Sequence, residues 1–511
     1  MRNVVASSSP APWSRWTTIA FVAFVLGMLA SLPLLVHPYF EANDDTNDAA
    51  MYIACARSIL AGEGYAYLGQ AFTIRPPGFS VLIAPLIALR GVDFLALNVF
   101  VSLFGVAACA LLFVWARPRL GTALAIAVSG TLWLNPTFQT FCNRVMSDVP
   151  GATILFGCLL VARRAEKRRS VANDVLLGLA IAAGAYVRSI TILLVPAVIA
   201  ARMFHRWKSD GLVGAFDFAR RRLVVIAVVP VLALLPWSLR NGAVAPEPPV
   251  DQNYIYSYST AFFHVDGGDP SSPRRPLSQF VERIPRRTGQ SLAVIGSRLR
   301  TREASTWPVA FGVLGIVAFV VTAVRRRSAA ELFALGVCPV LLLYFGFKPR
   351  LAFPVFFIAL PATADFLAWA LGRWTGPRVA RAGLSIGFGI LAIASIDVKQ
   401  RHTQVEQVHR VYETISAGFE TGLAPDAVVA SPVGWHHSVY LERPVYSLFF
   451  AVRRAQNDMQ AAERIIDKYG INTVILAPRV PADAAMLPYF AERYASGARQ
   501  HGESVVVRVR P

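Results

Sequence analysis

The chain is organised around residues 41–89, which read EANDDTNDAAMYIACARSILAGEGYAYLGQAFTIRPPGFSVLIAPLIAL. Four acids, Glu41, Asp44, Asp45 and Asp48, follow directly on a long apolar segment. An amphipathic helical pattern, a Gly-rich turn and an Arg-Pro-Pro sequence come next. Ionisable residues at the edge of a membrane segment often serve a function, whereas acids in a solvated loop need none. This stretch alone leaves both interpretations open.

The composition indicates a membrane protein. Of the 511 residues, 55% are hydrophobic, which is too apolar for a soluble enzyme of this length. The formal net charge of +19 comes mainly from short Arg clusters between apolar runs, a pattern typical of cytoplasmic membrane loops. We therefore expect no nucleic-acid partner. The five Cys are scattered and lack metal-ligand spacing, so they predict neither a disulfide framework nor a zinc site.

The charge pattern also predicts a topology. About eleven apolar segments alternate with polar turns, and every short basic cluster, such as RRAEKRR at 163–169, then lies on one side of the membrane. This places the N-terminus inside and the C-terminus outside. Residues 1–396 form the membrane domain, with a first outer loop at 41–78 that carries surface helices. The Arg-rich segment 241–305 is a long outer loop, because long translocated loops are largely exempt from the charge rule.

The composition changes at about residue 397. Strand patterns at 427–430, 473–477 and 505–509 alternate with helical patterns at 403–421, 455–469 and 482–495. Residues 397–511 are therefore predicted to form a small α/β domain on the outer face. Its adjacent His436 and His437 would point apart on a strand or turn, so we assign them a structural role.

Several turns on the predicted outer face carry charged side chains at the same depth relative to the membrane. Arg or Lys at that level can hold a lipid phosphate, and a carboxylate can take the proton from an attacking hydroxyl. For a single cation, snorkelling or pairing at a helix end is the simpler explanation. Coincidence across four turns favours a common site, whose candidates are Asp48, Arg75, Asp148, Arg188, Lys348 and Arg350.

The first outer loop resembles that of the GT-C fold glycosyltransferases, and most closely the protein O-mannosyltransferases and the bacterial aminoarabinose transferases of lipid A. In those families an acid stands four residues before a Tyr, a surface helix follows, and a Lys or Arg precedes one or two prolines. Asp48-Ala-Ala-Met-Tyr52 and Arg75-Pro76-Pro77-Gly78 match this order. Further matches across residues 16–396 are Ser147-Asp148-Val149-Pro150, Tyr186-Val187-Arg188, Pro236-Trp237 with Arg240-Asn241, and Lys348-Pro349-Arg350 before Pro354 and Pro361.

The resemblance implies an integral membrane enzyme, active as a monomer among membrane lipids, that moves a hexosyl or pentosyl group from a polyprenyl phosphate carrier to an acceptor. The acceptor would be a glycan, a lipid or a protein at the periplasmic face of a bacterial inner membrane. By this analogy Asp48 is the general base of an inverting reaction, with Asp45 as the alternative base. Asp148 is a second acid that orients donor or acceptor, and Tyr52 positions its neighbours. The candidates for the carrier phosphate are Arg75, Arg188, Lys348 and Arg350.

We expect no cofactor and no metal. The acids of the first outer loop are not accompanied by His or Cys at ligand spacing. A divalent cation held through the oxygens of Asp44, Asp45 and Asp48 is the less favoured alternative.

Two other functions compete with the enzyme. A transporter or flippase of a phosphate-bearing lipid-linked sugar would use the same charges, but the sequence lacks the paired halves with matched broken helices common in transporters. A scaffold or polymer-assembly subunit would use the C-terminal domain to dock a partner.

Overall fold

The computed structural model describes residues 13–38, 40, 48–168, 170–218, 223–299, 308–343, 349–394, 396, 400–501 and 504–510. The predicted site residues Asp45 and Lys348 lie outside these ranges, as does Asp44. The elements of the membrane domain are α1 (Arg15–Leu35), α2 (Asp48–Leu60), β1 (Ala66–Tyr67), β2 (Gln70–Ala71), α3 (Gly78–Arg90), α4 (Phe94–Leu120), α5 (Thr122–Trp133), α6 (Pro136–Cys142), α7 (Asp148–Lys167), α8 (Val171–Val187), α9 (Leu194–Phe218), α10 (Val224–Ala243), α11 (Tyr258–Phe263), α12 (Leu277–Leu299), α13 (Pro308–Arg326), α14 (Ala329–Leu343), α15 (Phe353–Thr375) and α16 (Pro377–Ala394).

The prediction of a mostly helical membrane protein is confirmed. Within the described ranges, six helical segments are long and apolar enough to cross a bilayer: Arg15–Leu35, Phe94–Leu120, Ser189–Ser209, Val224–Ala243, Arg350–Thr375 and Pro377–Ala394. Helices α3, α5, α8 and α14 are shorter and apolar. The count of about eleven spans and their orientation stay predictions.

Helix α15 is the centre of the bundle. Of its apolar window, 83% is buried within the protein, and a helix that is hydrophobic all round requires such a position. The Phe353 ring centroid lies 4.4 Å from that of Phe141 with the rings tilted, and the Phe357 ring packs edge-on against Phe138 at 5.7 Å. These contacts fix the N-terminal end of α15, and with it the position of the turn just before this helix.

The N-terminal end of α3 meets the C-terminal end of α8. A Cβ built on Gly78 would come within 2.6 Å of the carbonyl oxygen of Tyr186, so only glycine allows this approach. Because Arg75 lies three residues before Gly78 and Arg188 lies two after Tyr186, this contact fixes the two cations relative to each other.

The C-terminal part is a small α/β domain, as predicted. Its sheet has the strand order β4-β3-β5-β7-β6, with β3 parallel to β4 and β5 and with β7 antiparallel to β5 and β6. The three predicted strands correspond to β3, β5 and β7, whereas β4 and β6 were not predicted. The elements are α17 (Gln400–Gly422), β3 (Val429–Ser431), α18 (Gly434–Tyr440), β4 (Val445–Ser447), α19 (Phe449–Arg454), α20 (Gln460–Tyr469), β5 (Thr473–Leu476), α21 (Pro481–Arg493), β6 (Ala498–His501) and β7 (Ser504–Arg508).

The two adjacent histidines correct one local prediction. His436 and His437 lie on helix α18 and not on a strand or turn, and both are fully buried. Burial lowers the pKa of His436 to about 3, and the neighbouring His437 acts in the same direction. His437 Nε2 lies 3.2 Å from a carboxylate oxygen of Asp483. A structural role in the domain core accounts for both side chains.

Helix α18 packs on α2, which was predicted to lie along the surface. Arg57 of α2 donates a hydrogen bond to the carbonyl of Ser438 at 3.3 Å and pairs with Glu442 at 3.2 Å. The C-terminal domain therefore covers α2, and most side chains of this helix are buried. Helix α2 is amphipathic in sequence, and its polar side, which carries Arg57, is in contact with the C-terminal domain.

We predict that Gly78→Ala destabilises the protein, because the new methyl group would force α3 away from α8. Overpacking of this kind costs about 1–3 kcal/mol. Gly27→Ala in α1 is the matched control, since a Cβ there meets nothing within 4 Å and alanine favours a helix. The apparent melting temperature of the detergent-purified variants measures both effects. A Gly78→Ala protein that melts with the wild type would contradict the close contact.

Candidate active site

Asp48 is the first residue of α2, where the helix dipole favours a negative charge. Its side chain is only 9% exposed. One carboxylate oxygen accepts a hydrogen bond from Nη2 of Arg75, and the other lies 2.6 Å from Nη2 of Arg350. A buried carboxylate is thus held between two guanidinium groups that are far apart in sequence.

Arg75 reaches Asp48 from the loop before α3. Because Pro76 follows it, Arg75 cannot easily adopt a helical conformation, so helix α3 begins only after the two prolines, at Gly78. Its side chain is 2% exposed, donates to the Tyr254 hydroxyl at 3.1 Å and contacts the Met51 sulfur at 3.3 Å. Burial is the largest single influence on the pKa of Arg75 and acts to lower it, but the Asp48 carboxylate together with the neighbouring tyrosines outweighs burial and holds the pKa well above its usual value.

Arg350 comes from the turn Pro349–Ala352, immediately before α15. Its side chain is 11% exposed. While Nη2 binds Asp48, its Nε is buried and has no hydrogen-bond partner among the described residues. A buried donor without a partner requires an explanation, and an anion beside Asp48 would supply one.

A second ion pair lies beside the first. Asp148 begins α7 and Arg188 caps the C-terminal end of α8, so each charge is favoured by its helix dipole. Arg188 Nη1 lies 2.8 Å from Asp148 Oδ1, with Asp148 almost completely buried. A Cβ on Gly151 would come within 3.0 Å of the Arg188 side chain, so Gly151 makes room for it. Neither oxygen of Asp148 accepts a well-aligned hydrogen bond within the described ranges.

Tyr52 links the two pairs. Its hydroxyl lies 3.0 Å from the hydroxyl of Ser147, the residue before Asp148, and its ring packs edge-on against Phe79. Burial raises the pKa of Tyr52, so its hydroxyl stays protonated and serves as a fixed contact. The Arg350 guanidinium interacts electrostatically with both Asp48 and Asp148. Five predicted site residues thus surround one centre with Tyr52: two acids and three arginines, with a net charge of +1.

The sequence did not predict every residue of this centre. Tyr254, from the long segment after α10, contacts Arg75 through both its hydroxyl and its ring, whose centroid lies 5.8 Å from the guanidinium carbon. Burial raises the pKa of Tyr254 to about 12. The only sequence signal was the aromatic run Tyr254-Ile-Tyr-Ser-Tyr258 within an otherwise polar segment.

No group of three or more His, Cys, Asp or Glu side chains within the described ranges is arranged to hold a metal ion. Asp44 and Asp45, which the alternative cation site would use, lie outside those ranges. Metal independence stays a prediction.

The chain has the fold of the GT-C membrane glycosyltransferases. ArnT from Cupriavidus metallidurans, in its structure bound to undecaprenyl phosphate, is 15% identical, with a TM-score of 0.60 and coverage of 96% of this chain and 97% of ArnT. The archaeal oligosaccharyltransferase AglB from Archaeoglobus fulgidus, in complex with an inhibitory peptide and a dolichol-phosphate, is 14% identical. Its TM-score is 0.54, and the match covers 94% of this chain and 71% of AglB.

The sequence comparisons add a match to part of the chain. Residues 74–237 match the family described as dolichyl-phosphate-mannose-protein mannosyltransferase. No curated protein matches the chain. The predicted resemblance to GT-C proteins is confirmed at the level of the fold.

A double-mutant cycle tests the buried pair at α7 and α8. Arg188→Met leaves the Asp148 charge without its cation, and breaking a buried pair in this way costs roughly 3–5 kcal/mol. Asp148→Asn combined with Arg188→Met restores part of that loss, because no buried charge remains. Thermal unfolding of the purified proteins measures each step. Strictly additive losses would contradict the direct interaction.

Proposed function

We propose that the chain is a glycosyltransferase that moves a sugar from a polyprenyl-phosphate-linked donor to an acceptor at the periplasmic face of a bacterial inner membrane. The observation that carries the proposal is the Asp48 carboxylate buried between Arg75 and Arg350. Two structures of the same fold, ArnT and AglB, hold undecaprenyl phosphate and dolichol-phosphate. This supports a lipid-linked phosphate as the donor group.

The charges of the centre suit such a donor. Arg75 and Arg350 carry two positive charges and Asp48 one negative charge, so this group has a net charge of +1. A sugar linked to a polyprenyl phosphate is a phosphodiester with one negative charge, so its binding makes the group neutral. The buried Nε of Arg350 is available as a donor to the phosphate.

The transfer itself keeps this neutrality. The acceptor oxygen attacks the anomeric carbon, Asp48 takes the proton from that oxygen, and the bond between the anomeric carbon and the phosphate oxygen breaks. The leaving polyprenyl phosphate keeps the electron pair and gains a second negative charge, while Asp48 becomes neutral. Arg75 and Arg350 stabilise the charge that develops on the phosphate. Attack opposite the leaving phosphate inverts the anomeric centre.

Asp148 and Arg188 have a different part in the proposal. The Asp148 oxygens lack well-aligned hydrogen bonds, so they can accept from hydroxyl groups of the donor sugar or of the acceptor. Arg188 holds this carboxylate in place and contributes positive potential beside the phosphate site. The proposal covers hexosyl and pentosyl donors alike and takes the protein to act as a monomer. The flippase alternative is not favoured, because the matched folds belong to transferases.

We predict that Asp48→Asn abolishes transfer without abolishing carrier binding. Loss of a general base lowers kcat by about 10²–10⁴-fold. Binding of undecaprenyl phosphate becomes as tight or tighter, because removal of the carboxylate raises the local charge from +1 to +2. Transfer is measured as incorporation of radiolabelled sugar from undecaprenyl-phosphate-linked mannose or aminoarabinose into cell-envelope extract. Binding of undecaprenyl phosphate to the purified protein is measured by thermophoresis.

Asp93→Asn is the matched control. Asp93 caps α4 by accepting a hydrogen bond from the Ala96 backbone NH, and asparagine serves as an N-cap equally well. This variant keeps both transfer and binding. Wild-type turnover in Asp48→Asn would exclude Asp48 as the base, and a wild-type protein inactive with both donors would contradict the proposed donor class.

A further inference from the structure

We propose that a pocket on the outer side of the centre binds a neutral sugar unit of the acceptor. This inference rests on the proposed function, because it names the acceptor class for the same reaction. The cavity has a volume of about 380 Å³, within the range of about 300–1,000 Å³ usual for small-molecule sites. Three parts of the chain enclose it: residues 67–74 of the first outer loop, residues 244–253, and Lys468 of the C-terminal domain.

The walls of the pocket are held in place from behind. Arg240 donates hydrogen bonds to the carbonyls of Phe72 and Tyr65 at 2.9 and 2.7 Å, which fixes the β1–β2 hairpin. On the opposite wall, Asp251 accepts from Lys468 at 2.6 Å and from the Tyr469 hydroxyl at 2.7 Å. A site held this rigidly loses little conformational entropy on binding.

The lining combines apolar surfaces with hydrogen-bonding groups. Phe72, Ile74 and two prolines form apolar parts, while Gln70 and Glu247 bring polar side chains to the rim. The Tyr67 hydroxyl is buried and, within the described ranges, has no hydrogen-bond partner. A sugar ring offers both an apolar C–H face and hydroxyl groups, so it matches this lining.

The charges of the pocket exclude an anionic ligand. Its charged lining residues are Glu247, Asp251 and Lys468, which sum to −1, and Lys468 already pairs with Asp251. A phosphate would therefore meet repulsion here, in contrast to the net positive centre around Arg350. The pocket suits a neutral acceptor sugar and not the carrier phosphate.

The edge of the C-terminal sheet argues against an extended peptide. Strand β4 lies at the edge, and a peptide could add to it by backbone hydrogen bonds. Gln252 occupies this position, since its side chain accepts from the Ser447 backbone NH at 2.8 Å and donates to the Ser447 carbonyl at 3.3 Å. A compact ligand in the pocket fits better than a strand along β4.

The pocket shares its inner wall with the catalytic centre. The Phe72 ring centroid lies 6.0 Å from the guanidinium carbon of Arg75. Asn253 lies 3.6 Å from the Met51 sulfur, which itself contacts Arg75. A sugar in the pocket is thus separated from Arg75 by a single layer of side chains. Through Lys468 and Tyr469 the C-terminal domain takes part in acceptor binding.

Direct binding to the purified full-length protein tests the pocket. The probes are mannobiose, cellobiose and galactobiose, with a Ser/Thr-containing hexapeptide and inorganic phosphate as the alternatives, and saturation-transfer NMR is the readout. We expect at least one disaccharide to bind, with Ala71→Trp lowering its affinity tenfold or more and Tyr67→Phe lowering it several-fold. Ala245→Trp is the matched control, because Ala245 is exposed beside the pocket without lining it.

Three results would overturn the proposed sugar pocket. In the first, no disaccharide binds; in the second, Ala71→Trp and Ala245→Trp have the same effect on disaccharide affinity. In the third, the peptide or phosphate binds to the wild type and Ala71→Trp abolishes that binding. The Asp48→Asn variant distinguishes failure of the pocket proposal from failure of the proposed catalytic function. If Asp48→Asn binds disaccharide normally and still transfers sugar, the catalytic assignment fails and the pocket stands. If it is inactive and Ala71→Trp leaves binding unchanged, the pocket fails and the catalytic assignment stands.

Discussion

The buried ion group around Asp48 ties together three separate parts of the molecule. Helix α2 supplies the carboxylate, the loop before α3 supplies Arg75, and the turn before the central helix α15 supplies Arg350. A buried charge is tolerated only when it is paired, so each of these segments depends on the other two. The geometry of the proposed catalytic centre and the packing of this end of the bundle therefore depend on the same ion pairs.

Ion pairs at the other ends of the helices show what a purely structural pair looks like. Arg326 holds both oxygens of Asp365 at 2.9 and 2.8 Å, and Glu331 accepts from both Arg119 and Ser328. The pairs at the proposed catalytic centre differ: within the described ranges, Arg350 has a buried Nε without a partner, and the oxygens of Asp148 accept no well-aligned hydrogen bond. In the Arg326–Asp365 and Arg119–Glu331 pairs both carboxylate oxygens accept hydrogen bonds, whereas among the described residues Arg350 Nε and the Asp148 oxygens remain open at the proposed catalytic centre.

Much of this centre was predictable because its charges lie at helix ends. Asp48 and Asp148 begin helices, Arg188 ends one, and antiparallel connections bring such ends to one level. The prolines after Arg75 marked a helix start. The pairing itself was not predictable: both Arg75 and Arg350 were expected to bind phosphate, and the sequence does not indicate that both hold Asp48. Tyr254 was missed because a long polar segment carries no periodic signal.

The C-terminal domain shows the same limit. Its class followed from alternating helical and strand patterns, but β6 reads ARQH and carries no apolar run, and β4 is three residues that lead almost directly into helix α19. Helix α18 has only seven residues and was not predicted from the sequence pattern, so its packing against α2 was not predicted either. Contacts between distant segments, and not local propensity, determine that α2 is covered.

A structure of the protein with bound undecaprenyl phosphate tests the account most directly. The account predicts that the phosphate lies between Arg75 and Arg350, that Arg350 Nε donates to it, and that the Asp48 carboxylate has lost at least one of its two ion pairs. A phosphate bound away from both arginines, with Asp48 still held between them, would contradict the central claim.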